Sequence, residues 1–194
     1  MSGKRELTTR GIVVGRRSAG DGSVRVFLYS EALGLVSAIA KSAREERSQL
    51  RSHLQWGTYG NFMLVLGKET WRVKGVSHTA NIFFELGERA AAKEAAARVL
   101  ETVRQFIHGE EANPELFAAL WQFLEALPRV SDDVLPDAEH LAALRILCAL
   151  GYVGTPSALQ FLGVAYEPEM LSRARSARGS LVRLINDGIA ASGL

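Results

Sequence analysis

Four cations at three- and four-residue steps, Lys41, Arg44, Arg47 and Arg51, stand in a polar stretch with Ser42, Ser48 and Ser52 between them. On a helical segment that spacing gathers the charges on one face, and hydroxyls beside guanidinium groups can also donate to phosphate. Such a face suits a polyanion. A solvated linker whose cations pair with Glu45 and Glu46 accounts for the same residues. The surrounding charge favours phosphate. Residues 1–80 hold thirteen Lys or Arg and six Asp or Glu, a net +7, whereas residues 81–194 hold ten and fifteen, a net −5. An asymmetry of this kind points to nucleic-acid or membrane contact by the basic half, and to a domain boundary near residue 80.

More cations lie on segments that read as strands: Arg10, Arg16, Arg17 and Arg25 around a first hairpin, and Arg72 and Lys74, which alternate and therefore share one face. The aromatics of the same region are Tyr29, Trp56, Tyr59 and Trp71. Single-strand binders combine a basic groove with rings on which bases stack, and Trp71 is singled out because it adjoins Arg72. Each of these rings is also what a small barrel needs to fill its core. The expected nucleic-acid-binding set is Arg10, Arg16, Arg17, Arg25, Lys41, Arg44, Arg47, Arg51, Trp71, Arg72 and Lys74.

Catalytic constellations are missing. Gly20-Asp21-Gly22 has neither the lysine nor the following helix of a phosphate loop, and reads as a turn. His53, His78, His108 and His140 are scattered, and Glu139 beside His140 points to a different helix face. Cys148, the only cysteine, sits in the most apolar stretch, which excludes a disulfide and cysteine-built zinc sites and leaves an inert thiol. We expect no enzyme, no metal, no cofactor and no small-molecule substrate. No apolar run approaches the length of a membrane span and the first residues lack a signal-peptide pattern, so a cytoplasmic location is expected.

The elements that must position these residues fall into two kinds. Glycine-punctuated alternating runs at 11–17, 23–30, 34–40, 57–66 and 70–76 predict five strands, the third joined to the fourth by the long basic connection, as in a five-stranded OB-type barrel. A fragment of a two-layer sandwich gives a similar string. From residue 87 onward, helical periodicity takes over: 87–107, a helix opening at Asn113-Pro114, an almost wholly apolar helix over 138–150, and a last one over 173–189. The fold class is α+β, with an OB-fold barrel over 1–80 and a helical domain over 81–194 that serves packing and partner docking.

Particular strings go further. Gly34-Leu35-Val36-Ser37, Ala40-Lys41-Ser42-Ala43-Arg44, Ser48-Gln49-Leu50-Arg51 and Leu54-Gln55-Trp56, followed by Asn113-Pro114-Glu115-Leu116-Phe117 and Leu147-Cys148-Ala149-Leu150-Gly151-Tyr152, resemble in order and spacing the bacterial RecO family of recombination mediators. The resemblance implies an OB-fold followed by helices, nucleotide-independent binding of single- and double-stranded DNA, strand annealing, and help in loading the RecA recombinase onto coated strands. It also implies a nucleoid-associated cytoplasmic location, with RecR and the acidic C-terminal tail of single-strand-binding protein as partners. For that tail, Arg98, Arg104, Phe106 and Leu116 are the candidate docking residues; ion pairs of the two arginines with Glu94 and Glu101 on a solvated face are the alternative. Two departures stand out. Many relatives carry a four-cysteine zinc module after the LGY-like element, where 152–165 has no cysteine, and the chain is short for the family. A non-catalytic protein-interaction module, and an OB-fold that binds RNA, remain alternatives at this level.

Overall fold

The structure is a computed structural model that describes residues 5–41, 50–107, 109–162 and 165–193. It divides into two compact units: Met1–Glu85 with Arg104–Pro114, and Leu86–Val103 with Glu115–Leu194.

The first unit is a closed barrel of five strands, β1 (Glu6–Ser18), β2 (Val24–Ser30), β3 (Gly34–Ala40), β4 (Thr58–Leu66) and β5 (Trp71–Asn81), in the order β1-β2-β3-β5-β4. β1 serves both sides of the barrel, pairing with β4 through residues 6–12 and with β2 through residues 11–18. The register slips between Val13 and Gly15, which lets one long strand bend from one partner to the other. β3 and β5 are parallel and pair at Ala38↔Trp71 and Ile39↔Arg72. Alternation then sorts the side chains. Val24, Val26, Leu28, Val36, Ala38, Ala40, Phe62, Leu64, Trp71 and Val73 point inward and form the core with Val13 and Leu54. Leu54 comes from a single 3-10 turn, Ser52–Leu54.

Because β3 leaves β5 after two residue pairs, a seam opens beside the first half of β3, and residues 109–113 cover it. Leu35 N donates to Gly109 O at 3.1 Å, Tyr29 Oη to Asn113 O at 3.3 Å and Trp71 Nε1 to a Glu110 carboxylate oxygen at 3.1 Å. Gly34 is required here: its φ is +71°, and a Cβ would fall 2.2 Å from Glu111 O. Tyr29, on an outward register, is thereby only 1% exposed, and burial raises its hydroxyl pKa. Arg104–Pro114 thus belongs to the barrel unit although it begins within a helix whose earlier turns belong to the other unit, and β5 runs five residues beyond the expected end at residue 76.

The second unit is helical. After the four-residue α1 (Ile82–Glu85) that ends the barrel segment come α2 (Ala90–Phe106), α3 (Pro114–Ala126), α4 (Leu135–Ala149), the short α5 (Thr155–Ala158), α6 (Pro168–Ser176) and α7 (Arg178–Ser192). Prolines stand in the first turn of α4, α5 and α6, where the lost N–H has no helical partner. α4 packs against α6 and α7; Gly188 of α7 lies where a Cβ would meet Val153 Cγ2 at 2.6 Å. The single helix expected over 173–189 is two, broken at Ala177 (φ −103°, ψ 15°). The break places Arg175 and Arg178 on either side of it, and both reach Asp137, which is fully buried in the first turn of α4.

Candidate nucleic-acid interface

Register converts the scattered cations of the barrel into a row. Arg17 of β1 pairs with Arg25 of β2, Arg25 with Ile39 of β3, Ile39 with Arg72 of β5 and Arg72 with Val65 of β4. These positions share the outward register, since their neighbours Val24, Val26, Ala38, Ala40, Trp71, Val73 and Leu64 all belong to the core. The result is a band across the outer face in which three guanidinium groups are interleaved with aliphatic side chains. Its chemistry matches a sugar-phosphate backbone with unpaired bases: charge for the phosphate, apolar surface for the rest.

The partners of these cations preserve their charge. Arg25 Nη1 donates to Ser37 Oγ at 3.0 Å, Arg17 lies 5.4 Å from the centre of the Phe27 ring, and Arg16 Nη1 donates to Gln55 Oε1 at 2.5 Å. All three partners are neutral. Among the described residues no carboxylate stands within ion-pair distance of Arg16, Arg17, Arg25 or Arg72. The row also lies toward one end of the barrel. Ser18 pairs with Val24 and Val24 with Ala40, while Trp71 pairs with both Ala38 and Leu66, so the β1–β2 turn, the β4–β5 turn and exposed Lys41 gather at that same end.

The expected residues therefore divide. Arg17, Arg25 and Arg72 come together on the outer band, Lys41 follows β3 at the same end, and Arg16 occupies the opposite face of β1 from Arg17. Arg51 is exposed, and its carbonyl accepts from Gln55 Nε2 at 3.0 Å, so Gln55 links it to Arg16. Arg44 and Arg47 lie outside the described residues. Arg10 and Lys74, the latter two residues beyond Arg72 on the same face, have their charge met by carboxylates. Arg10 makes a two-pronged pair with Glu31 (2.9 and 2.5 Å), holding that carboxyl below its usual range mainly through the hydrogen bond, and Lys74 Nζ lies 3.1 Å from Glu6 Oε1. Trp71 is a correction. It is 3% exposed in the barrel core, so its ring offers no stacking face; the alternation that turns Arg72 and Lys74 outward turns Trp71 inward.

The residues missed are Phe27 and Ile39. Phe27 sits half-buried two positions from Arg25 on the same outward face, and Arg17 is drawn over its ring. Alternation from Arg25 was signal enough for Phe27. Ile39 reads as core by composition, and only the β3–β5 register sets it between two arginines.

In the helical unit, Arg98 is held by Glu139 through two bonds of 2.6 and 2.8 Å, and lies 3.7 Å from Glu94. Leu116 is 2% exposed and fills the interior, so it cannot line an open cleft. Arg98 and Leu116 belong to the helical unit and Arg104 and Phe106 to the barrel unit, so neither unit builds the four-residue docking set by itself. The helical unit has a different concavity, a cleft of about 690 Å³ lined by Gln122, Arg129, Val130, Tyr166, Leu171 and Arg175 among others. Burial pushes the Tyr166 hydroxyl up to about 12 and the Cys148 thiol up to about 11, leaving both protonated near neutrality. Among the described residues no cluster of three His, Cys, Asp or Glu has the placement to hold a metal ion, and no helix is long and apolar enough to cross a membrane.

Comparison with known proteins adds the family. Residues 1–81 match the family described as "Recombination protein O N terminal". The chain is similar to the DNA repair protein RecO of Dehalococcoides mccartyi strain 195, at 32% identity over 66% of this chain and 50% of the relative. It is similar to that of Haemophilus influenzae strain PittGG at 29% identity over 93% of this chain and 74% of the relative. The RecO of Alkaliphilus metalliredigens aligns at 28% identity over 63% and 50%. The chain thus spans about half the length of the Dehalococcoides and Alkaliphilus relatives. An OB-type barrel thus underlies residues that match the RecO N-terminal family, and similarity to RecO proteins reaches through the helical unit.

Proposed function

We propose that this protein acts in DNA repair and recombination by binding single-stranded DNA on the outer face of β1, β2, β3 and the start of β5. The observation that supports this most is the band of Arg17, Arg25 and Arg72 interleaved with Ile39 and bordered by Phe27, in which each described cation has a neutral partner or none. Phosphates take the guanidinium groups, the strand's bases lie on apolar surface, and the chain contributes no bond-making step. Strand annealing follows from holding two strands' backbones while their bases stay open to pair. By family resemblance the protein also helps load RecA on coated strands, with RecR and the C-terminal tail of single-strand-binding protein as partners. Double-stranded DNA meets the same cations through its backbone.

A fluorescence titration with single-stranded and duplex DNA at two salt concentrations tests the reading. Counterion release makes affinity fall with salt, and the Arg17→Ala, Arg25→Ala, Arg72→Ala triple variant loses about 0.7 of slope per single-strand contact, about 2 in all. An unchanged slope moves the interface elsewhere on the barrel. Binding and annealing persist with chelator and without nucleotide; strict dependence on either overturns the proposal.

A further inference from the structure

A second aromatic feature of the barrel unit lies away from the outer band. Trp56, 36% exposed, stacks on Phe83 with ring centroids 4.7 Å apart and planes 30° from parallel. A single buried amide holds both residues: Asn81 Nδ2 donates to Trp56 O at 2.9 Å, and Asn81 Oδ1 accepts from Phe83 N at 3.0 Å. Gly57 clears the space, since a Cβ there would meet the Phe83 ring at 2.5 Å. An exposed tryptophan on a fixed backbone, braced by a second ring, is a pre-organised stacking surface, with little conformational freedom left to lose on binding. One guanidinium group reaches the neighbouring residue: Gln55, just before Trp56, accepts from Arg16 and donates to the Arg51 carbonyl, while the Glu85 carboxylate accepts from the Tyr59 hydroxyl at 2.7 Å.

Arg16 and Arg17 are consecutive on β1 and take opposite faces of the strand. Arg17 sits over Phe27 of the outer band; Arg16 reaches Gln55 beside Trp56. A backbone that crosses β1 at these two guanidinium groups has an aromatic ring waiting on each side. We propose that the Trp56–Phe83 pair is a second stacking station for an unpaired base of the same single strand, reached from the outer band across Arg16 and Arg17. The inference rests on the reading of the barrel as a single-strand binder and extends the strand's path beyond the outer face of β1, β2, β3 and β5.

The test uses the whole chain with Trp56→Ala, Trp56→Phe and the triple arginine variant, and reads fluorescence anisotropy of labelled oligothymidylates of increasing length and of a matched duplex. Base–aromatic stacking predicts that Trp56→Ala weakens binding to long single strands by about fivefold or more. Trp56→Phe restores most of it, short strands that reach only the outer band bind as before, and duplex affinity holds. Trp56→Ala binding long single strands like the parent overturns the second station, and means that the shelf meets something else, such as a protein. Equal losses on single strands and duplex, or no rescue by Trp56→Phe, also overturn it. If the parent itself binds no single strand, the proposed function fails as well. If the parent binds, and the arginine triple is weakened while Trp56→Ala is not, only the second station fails.

Discussion

The two units spend their arginines differently. In the helical unit the arginines are mostly tied to acceptors of their own unit. Arg89 bonds Asp132 and the carbonyls of Leu127, Pro128 and Val130; Arg98 holds Glu139; Arg175 and Arg178 converge on buried Asp137; Arg145 donates to Phe161 O. Arg89, Arg98, Arg175 and Arg178 brace connections between helices with their charge met by a carboxylate, whereas Arg145 and Arg173 donate to carbonyl oxygens and Arg183 to a hydroxyl. On the barrel, Arg16 meets a glutamine, and on the band Arg25 meets a serine and Arg17 a phenylalanine ring, which orient a guanidinium without neutralising it. Net composition conceals this. What distinguishes a structural cation from one available to a polyanion is the charge of the group beside it.

Four variants break or sharpen that contrast. The largest effect is expected at Trp71: replacement by alanine empties a buried site and removes a hydrogen bond to Glu110, at a cost of about 3–5 kcal/mol in urea unfolding. Below the variant's melting temperature its single-strand affinity equals the parent's. A selective loss of affinity at unchanged stability breaks the assignment of Trp71 to the core. Next, Arg175→Ala with Arg178→Ala strands the buried Asp137 carboxylate and destabilises the helical unit by about 3 kcal/mol, leaving DNA affinity as it was. A weakened salt slope in that variant breaks the contrast from the other side.

Phe27→Ala is expected to do the reverse. It weakens single-strand binding by about 1–3 kcal/mol, with a smaller shift in unfolding midpoint than Trp71→Ala, because the ring is only half-buried. The smallest effect is at Arg10, whose charge Glu31 already meets. Arg10→Ala costs under about 1 kcal/mol in stability and leaves the salt slope of binding unchanged, which titration against DNA checks directly. The pair also has a pH signature. Glu31's folded-state pKa lies below its unfolded value, so its contribution is present above the unfolded value and is lost as the pH falls through the folded one. Arg10→Ala flattens that acid-side loss in a pH series of melts.

Much of this architecture was legible in the residues. Period-two alternation with glycine between runs marked five strands, though β1 starts five residues before its expected span and β5 ends five after, and helical periodicity marked the core of α2, α3 and α4. The break between α6 and α7 was not legible, because the stretch 173–189 contains no proline and its two glycines fall elsewhere than Ala177. Nor was the seam cover at 109–113, whose contacts with β2, β3 and β5 join residues more than thirty positions apart along the chain.

For the candidate site the division is similar and has a definite cause. Sequence by itself determined which residues carry charge, that the charge is concentrated before residue 80, and, through alternation, that Arg72 faces away from Trp71. It could not say which cation meets a carboxylate. Arg10 and Arg17 are of one type on one strand, yet one lies against Glu31 and the other over Phe27. That difference is set by strand register and barrel closure, which bring together residues far apart along the chain, as when Glu6 of β1 pairs with Val65 of β4 and Ile39 of β3 with Arg72 of β5. Local chemistry names the candidates; the tertiary pairing of strands, fixed by burial of one face of each, decides which of them keep their charge for a ligand.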